Sequence, residues 1–520
     1  MRQRTIATAV ALSCVVGLVG GLAPMALAAP GEAAPSAPST AKEPSKPTKP
    51  KPQPVVDFNG DGHHDLIVTQ PRVGVGGSQP LHFTGALGVV YGSAKGLNPA
   101  KRQLITQEIP GIPGTSEGYD YFGHRTASAD YDGDGFTDLA ISSVGEDLTV
   151  GGSYRRNAGQ IVLVWGGKNG LTKHGATTAK QSAPTSIDVR RGASLAVGDF
   201  NGDGRMDLAT GDHSLGRGGE VLYGPISRGG KPKSVINLGI KDGQPAVGVT
   251  LDAGDITGDG ITDLVIQVNG NKLPISRIEI HRGTKKGLVR SGKLTDARGA
   301  LLLSQSMDET RVAVGDLDRD GHADIALGQQ YAGQGTVYGG QVTVVYGGPK
   351  GQSTLRDPQV ITQDTPGVPD EAEGRDAFGY AVAVGDINAD GIQDLAVGAP
   401  GEDNGELTDT GQVTTLLGSK KGLTGQGARV YHQGTPGMPS APVAHQAFGA
   451  AVRLLDVTKD GRADLAVGSQ SWGAGGKGRA SFLPTAKDGA VTGTGAQEFG
   501  PGDLGLYDEV LTGFGDRFGD

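Results

Sequence analysis

Asp386, Asn388, Asp390 and Asp394 stand at positions 1, 3, 5 and 9 of a nine-residue stretch with Gly391 at position 6. Oxygen donors at that spacing, joined by the backbone carbonyl of position 7 (here Ile392), can wrap a hard cation at roughly 2.3–2.6 Å. The pattern is written seven times in the chain. The first copy uses Asp57, Asn59, Asp61 and Asp65 with the carbonyl of His63; the second uses Asp130, Asp132, Asp134 and Asp138 with that of Phe136. The third uses Asp199, Asn201, Asp203, Asp207 and Arg205; the fourth Asp255, Thr257, Asp259, Asp263 and Ile261. The fifth uses Asp316, Asp318, Asp320, Asp324 and His322; the seventh Asp456, Thr458, Asp460, Asp464 and Arg462. Glycine at position 6 permits the φ > 0 bend that turns the oxygens inward. One copy would read equally well as a polar turn, since Asp, Asn and Gly are ordinary turn residues. Seven copies that all keep the ninth carboxylate argue for metal geometry, and an all-oxygen donor set argues for Ca²⁺, up to seven ions per chain.

An EF-hand needs a bidentate Glu at position 12 and flanking helices. Position 12 here is Val68, Ile141, Thr210, Ile266, Leu327, Val397 or Val467. The runs around the loops, such as Phe378–Gly385 before the sixth and Leu395–Pro400 after it, are short, β-rich and bounded by Gly and Pro, so each loop joins two strands of a hairpin. A third strand follows, as in Gln160–Trp165 and Gln341–Tyr346, and a fourth, as in Arg102–Gln107 and Gln359–Gln363. The loops recur at intervals of 73, 69, 56, 61, 70 and 70 residues. Four strands per repeat predict an all-β, seven-bladed propeller, with the acidic loop between the first two strands of each blade.

Phe378-Gly379 before a strand, the acidic loop, then Gly398-Ala399-Pro400 resembles the FG-GAP repeat of integrin α-subunit propellers. Phe122-Gly123 and Phe448-Gly449 repeat its start, whereas the third to fifth units show Leu195, Val249 and Val312 nearby instead. The resemblance covers roughly residues 55–520 and extends to secreted FG-GAP proteins of actinomycete bacteria. It implies a propeller whose hairpins are stiffened by calcium, with a ligand that differs among members.

Residues 1–28 read as a secretory signal: Arg2 and Arg4, an apolar stretch Ile6–Leu22, then Ala26-Leu27-Ala28. Residues 29–54 are rich in Pro, Ala, Ser, Thr and Lys and form a solvated linker, or a spacer through a cell wall. The protein is therefore expected outside the cell. No later run could span a bilayer. The single cysteine, Cys14, lies in the signal, so metal replaces disulfides as the staple. Net charge is −9, and the seven loops hold 23 Asp. Removing Arg2 and Arg4 gives −11, and seven Ca²⁺ ions would bring this to about +3. The acidity thus belongs to metal chemistry, and no basic, aromatic-interleaved patch suggests nucleic acid.

Blade 1 lacks a Phe-Gly strand, having only Val55-Val56 before Asp57, while the C-terminus carries Phe514-Gly515 and Phe518-Gly519. The tail is expected to pair into the first blade and remove an exposed edge. Gly114-Thr115-Ser116-Glu117-Gly118 matches the serine-hydrolase pattern but lacks the required strand-to-helix context. Glu146-Asp147 and Glu402-Asp403 are carboxylate pairs, read as polar loops or extra calcium ligands before general acids. The loops 107–121, 363–377 and 433–447 share Gln-x-x-Pro-Gly-x-Pro and are either recognition loops or turn-building segments. The resulting expectation is a monomeric calcium-binding propeller that acts as a binding or adhesion module for an extracellular glycan or protein, and not an enzyme. An extracellular hydrolase or polysaccharide lyase on the same scaffold, or a structural envelope component, remains the alternative.

Overall fold

Runs rich in Val, Ile, Leu and Ala, cut every few residues by Gly, Asp or Pro, pair antiparallel with their neighbours in sequence. The computed structural model describes residues 56–73, 83–182, 187–213, 218–240, 246–270, 276–304, 311–332, 339–471, 477–506 and 513–520. The signal at 1–28 and the linker at 29–54 lie outside the described residues. The chain is an all-β, seven-bladed propeller of four-stranded antiparallel sheets. Blade 1 contains Leu66–Gln70, Ala86–Tyr91 and Asn98–Ile105; blade 2 contains Phe122–Ala129, Asp138–Ser143, Gln160–Trp165 and Thr172–Thr178. Blade 3 is Ser194–Gly198, Asp207–Gly211, Gly219–Tyr223 and Ser234–Asn237; blade 4 is Ala246–Gly254, Asp263–Gly270, Ser276–Arg282 and Val289–Lys293, with Leu303–Ser304 added. Blade 5 is Arg311–Gly315, Asp324–Gln329, Gln341–Val345 and Gln359–Ile361. Blade 6 is Ala381–Gly385, Asp394–Ala399, Gln412–Leu416 and Arg429–Tyr431; blade 7 is Phe448–Leu455, Asp464–Ser469, Arg479–Leu483 and Gln497–Phe499.

The second strand of each blade is covered on both faces, so its side chains serve two neighbours alternately. In blade 2, Leu139 and Ile141 pack toward blade 1 with Ile67 and Leu87, while Ala140 packs toward blade 3 with Leu195 and Leu208. Among the described residues there are seven such apolar clusters, one at each blade interface. This is why no blade is a domain by itself.

The Phe-Gly dipeptide makes these interfaces close. Phe122, Phe378, Phe448 and Phe514 are almost fully buried. The glycine that follows has φ between 79° and 96°. A Cβ at Gly379 would lie 2.5 Å from the carbonyl oxygen of Gln341 on the preceding blade, and one at Gly515 would lie 2.5 Å from that of Arg479. Only glycine satisfies both the backbone conformation and the approach.

Ring closure follows the expectation and explains why the tail is short. Blade 1 has three strands of its own, and the fourth comes from the C-terminus. Val68, at position 12 of its loop, bridges Phe518, as Val397 at position 12 pairs with Val382. Phe518 follows Phe514 by four residues, as Val382 follows Phe378, so the register is the same. Asp520 then corresponds to Val384, one residue short of the loop. Val56 supplies that last position, its carbonyl accepting the Asp65 N–H at 2.7 Å. The innermost strand of blade 1 is thus a composite of both ends of the described chain, held further by Gly519 N–H to the Ile67 carbonyl at 2.9 Å and by an Arg453–Asp520 ion pair.

The outermost strands of blades 1 and 5, Asn98–Ile105 and Gln359–Ile361, stop before the shared glutamine. The sequence pattern carries the strand on through Thr362 and Gln363, but the Thr362 carbonyl accepts the Thr365 N–H at 3.1 Å and the chain turns into the Pro-Gly-x-Pro loop.

Candidate metal centres

Each acidic loop runs from the end of a blade's innermost strand to the start of its second, so all seven lie on one face. Position 1 organises the turn. Its carboxylate accepts the position-6 glycine N–H in every loop, at 2.7 Å in Asp57–Gly62 and 2.9 Å in Asp386–Gly391. Position 3 accepts the position-5 N–H in the five loops with Asn or Asp there, as Asn388 does from Asp390 at 2.9 Å, but not in the loops of Thr257 and Thr458. Position 5 accepts the position-7 N–H, as Asp390 does from Ile392 at 2.8 Å. The position-6 glycines have φ of 79–93°.

Position 4 also takes positive φ in all seven loops: Gly60, Gly133, Gly202 and Gly258, but Arg319, Ala389 and Lys459 in the last three. Sequence reasoning passed over this second left-handed residue, although four glycines at one position were a usable signal. The glycines also make room. A Cβ at Gly60 would lie 2.8 Å from the Phe136 ring, and one at Gly202 would lie 2.9 Å from Ile261. Phe136 and Ile261, chosen for their carbonyls, are therefore also contacts to the preceding loop.

The ninth carboxylate has a use the sequence argument did not foresee. It is at most 2% exposed in every loop. In the sixth loop Asp394 accepts the Ile387 N–H and, from the end of the third strand, the Gly418 N–H, both at 2.8 Å. Asp138 does the same for Tyr131 and Gly166, and Asp324 for Leu317 and Gly347. A metal is therefore not the sole reason for a carboxylate there: it also ties the loop to the third strand. Burial pushes Asp138 and Asp394 up to about 7 and Asp324 up to about 8. An adjacent divalent cation would favour the ionised form that these N–H groups need.

In the two loops with four carboxylates, three of them already converge. Carboxylate oxygens of Asp130, Asp132 and Asp138 lie within 4.8 Å of one another, as do those of Asp316, Asp318 and Asp320. Among the described residues three loops also carry a basic partner from outside the loop, and in the seventh Arg462 lies 3.5 Å from Asp460 of its own loop. Arg228 bonds Asp132 and Asp134 at 2.6 Å each, Lys233 bonds Asp203 at 2.8 Å, and Arg356 pairs with Asp318. Part of the acidity assigned to metal is thus shared with Arg and Lys. His63 points elsewhere, its Nδ1 lying 2.8 Å from the Val457 carbonyl.

Among the described residues, five of the seven loop junctions share one backbone hydrogen bond. The position-8 N–H of one loop reaches the position-1 carbonyl of the previous one: Thr262 to Asp199 at 3.0 Å, Ala323 to Asp255 at 2.8 Å, Gln393 to Asp316 at 3.1 Å and Ala463 to Asp386 at 2.8 Å. His64 to Asp456, at 3.3 Å, continues it across the closure.

The other candidates resolve into structural roles. Ser116 lies in an irregular turn with no helix after it. Glu146 accepts the Gln107 side-chain amide at 2.8 Å, and Glu402 accepts that of Gln363 at 2.6 Å. Each glutamate therefore anchors the glutamine that opens a Gln-x-x-Pro-Gly-x-Pro loop. The loops then insert Ile112, Val368 and Met438 into interface clusters. Their first halves build turns around that buried residue, while Glu108, Pro110, Asp364 and Pro366 within them stay exposed.

Burial, with repulsion from Asp376 and Asp370, pushes the Glu402 carboxyl up to about 8. A folded-state value above the unfolded one means a stability contribution present below the unfolded value, near 4.5, and lost as pH rises through about 8. Glu402→Gln keeps an acceptor and cannot ionise. Relative to the parent it is expected to gain on the order of 2 kcal/mol between pH 5 and pH 8.5, measured by denaturant titration; parallel pH profiles would contradict this.

Comparison with known proteins agrees with this architecture. Residues 310–345, 378–416 and 448–483 match the FG-GAP repeat, and residues 130–210 and 255–327 match the FG-GAP-like repeat. Phosphatidylinositol-glycan-specific phospholipase D of Bos taurus is 33% identical over 166 residues, 31% of this chain and 18% of that protein. Integrin alpha-V of Gallus gallus is 26% identical over 321 residues, 56% of this chain and 29% of that protein. The chain thus spans less than a fifth of the length of the phospholipase relative. Among solved structures, the Dos1 propeller has a TM-score of 0.36 at 9% identity, covering 77% of this chain and 78% of that one. An exotype rhamnogalacturonan lyase has a TM-score of 0.36 at 13% identity, covering 80% and 69%. The chain carries FG-GAP repeats, and every acidic loop but the first lies inside a matched segment.

Proposed function

We propose that this protein is a secreted, calcium-binding propeller that serves as a binding module for an extracellular ligand. The observation that supports it most is the set of seven all-oxygen loops on one face, five of whose junctions are joined by backbone hydrogen bonds, which leaves the opposite face to present side chains on a stiff frame. Asp, Asn and Thr oxygens at positions 1, 3, 5 and 9 and the position-7 carbonyl would hold each ion, which would offset the mutual repulsion of three or four carboxylates. Extracellular sites of this type work at Kd of roughly 10⁻⁴–10⁻³ M, suited to a protein exported by the signal at 1–28 and carried beyond the surface by the linker at 29–54. The buried Glu146 and Glu402 hold loops in place, which favours binding over hydrolysis or lyase chemistry.

The reading is tested on an array of glycans and matrix proteins, with Ca²⁺ and with EDTA. Calcium-dependent retention of at least one ligand class is expected. No retention under either condition would refute a binding role.

A further inference from the structure

On the face opposite the acidic loops, the same backbone device is built at three blade junctions. At the first, the Phe83 carbonyl accepts the Tyr121 N–H at 2.9 Å; at the second, that of Asn157 accepts the Arg190 N–H at 2.9 Å. Near blade 7, the Asp409 carbonyl accepts the Ala447 N–H at 3.0 Å. Each device has three residues of positive φ: Phe83, Tyr119 and Tyr121 at 44°, 72° and 53°; Asn157, Asp188 and Arg190 at 56° or less; Asp409, His445 and Ala447 at 62° or less. In each, the next residue pair closes the turn, as Phe122 N–H does on the Thr84 carbonyl at 2.9 Å.

The frame is constant and the side chains are not. At the second junction the Asn157 amide bonds Asp188 at 2.6 Å, and near blade 7 His445 bonds Asp409 at 2.8 Å. The first junction replaces these polar pairs with three aromatic rings. Phe83 and Tyr121 stack with centroids 5.7 Å apart and planes 14° from parallel; Tyr119 meets Phe83 edge-on, also at 5.7 Å. Bulky aromatics in the left-handed region are strained, and strain of this kind persists where surrounding structure over-determines it. The other two junctions show that the turn itself does not require aromatics. Tyr119 is nevertheless 55% exposed, so the rings present an open face.

Two accessible carboxylates, Glu117 and Asp147, neighbour the rings in the chain and across the blade. Glu117 precedes Tyr119 by two residues and is exposed. The Asp120 carbonyl accepts the Gly145 N–H at 3.0 Å, which brings the half-buried Asp147 alongside, while Glu146 stays buried on Gln107. Asp147 in turn bonds the hydroxyl of Tyr154, which is 62% exposed. The rings lie too close together to enclose a cation between them, and carboxylates at their edge disfavour insertion into a lipid surface. A pyranose supplies what such a surface lacks: an apolar C–H face for the rings and hydroxyl donors for the carboxylates.

We propose that Phe83, Tyr119 and Tyr121 form a stacking platform for a pyranose glycan. This rests on the binding-module reading and names its ligand class. The test uses calcium-loaded protein on an array of defined oligosaccharides of neutral hexoses, N-acetylhexosamines and uronates, beside matrix proteins and phosphatidylcholine vesicles. Four proteins are compared: the parent, the double variant Tyr119→Ala/Tyr121→Ala, the double variant Tyr119→Phe/Tyr121→Phe, and His445→Ala as a control on an equivalent frame. Melting temperature and calcium content establish that each is folded. Expected is glycan binding by the parent, about a tenfold or larger loss in the alanine variant, and near-parent binding by the other two. Glycan binding unchanged in the alanine variant overturns the platform and leaves the binding module standing. Retention of the parent by protein or vesicles alone also overturns it. Retention by nothing on the array overturns both.

Discussion

EDTA is expected to lower the melting temperature by about 10 °C or more, and added Ca²⁺ to restore it. With Kd near 10⁻⁴ M and millimolar Ca²⁺, each site contributes on the order of 1.5 kcal/mol. Seven sites then contribute on the order of 10 kcal/mol, and for a propeller of this size the unfolding entropy, about 1 kcal/mol per degree, converts this to about 10 °C. The sites should not act alone. Carbonyl-to-amide bonds join successive loops from Asp199 to Ala463 and on through Asp456 to His64, so an ion that fixes one turn also fixes the donor or acceptor of the next. Calorimetry in Ca²⁺ and in EDTA checks both points. Coincident unfolding transitions would contradict the stabilising role of the loops.

The second large effect is expected from Phe514→Ala. Phe514 is 1% exposed and packs at the closing interface with Leu66, Val68, Phe482 and Phe499. Truncating a buried Phe costs about 3–5 kcal/mol. Here the loss falls on a strand with few other ties, so it should appear as local opening between blades 7 and 1 before global unfolding. Amide exchange is expected to accelerate by roughly 10²-fold or more for Leu66–Gln70 and Arg479–Leu483, with little change in blades 3 and 4. Uniform acceleration over all blades, or none, would contradict closure by the tail.

Why these features differed in legibility is a question of range. The acidic loops and their spacing were readable because a hairpin encodes its geometry in nine consecutive residues. Short β-rich runs bounded by Gly and Pro on either side of each loop implied hairpins, and seven four-stranded repeats implied the ring. The tail's role was readable from the repeated Phe-Gly, but not the composite strand, in which Val56 completes a register begun by residues 515–520. The double use of the ninth carboxylate was hidden because Gly418 donates to Asp394 across 24 residues of sequence. The same holds for the Glu402 anchor, 39 residues from Gln363. Position 4 was overlooked because Arg319, Ala389 and Lys459 disguise a left-handed turn behind ordinary side chains. The basic partners Arg228, Lys233 and Arg356 reach their loops from elsewhere in the sequence, so charge counting alone credited the metal with all the acidity.

The central claim is that alkaline-earth ions occupy these turns and hold the hairpins in shape. Elemental analysis of folded protein dialysed against ~1 mM Ca²⁺, a supply near the affinity of extracellular sites, tests it most directly. The account predicts several calcium ions per chain, at most one for each of the seven loops, and one fewer in Asp390→Ala. A folded protein that retains no calcium would contradict it.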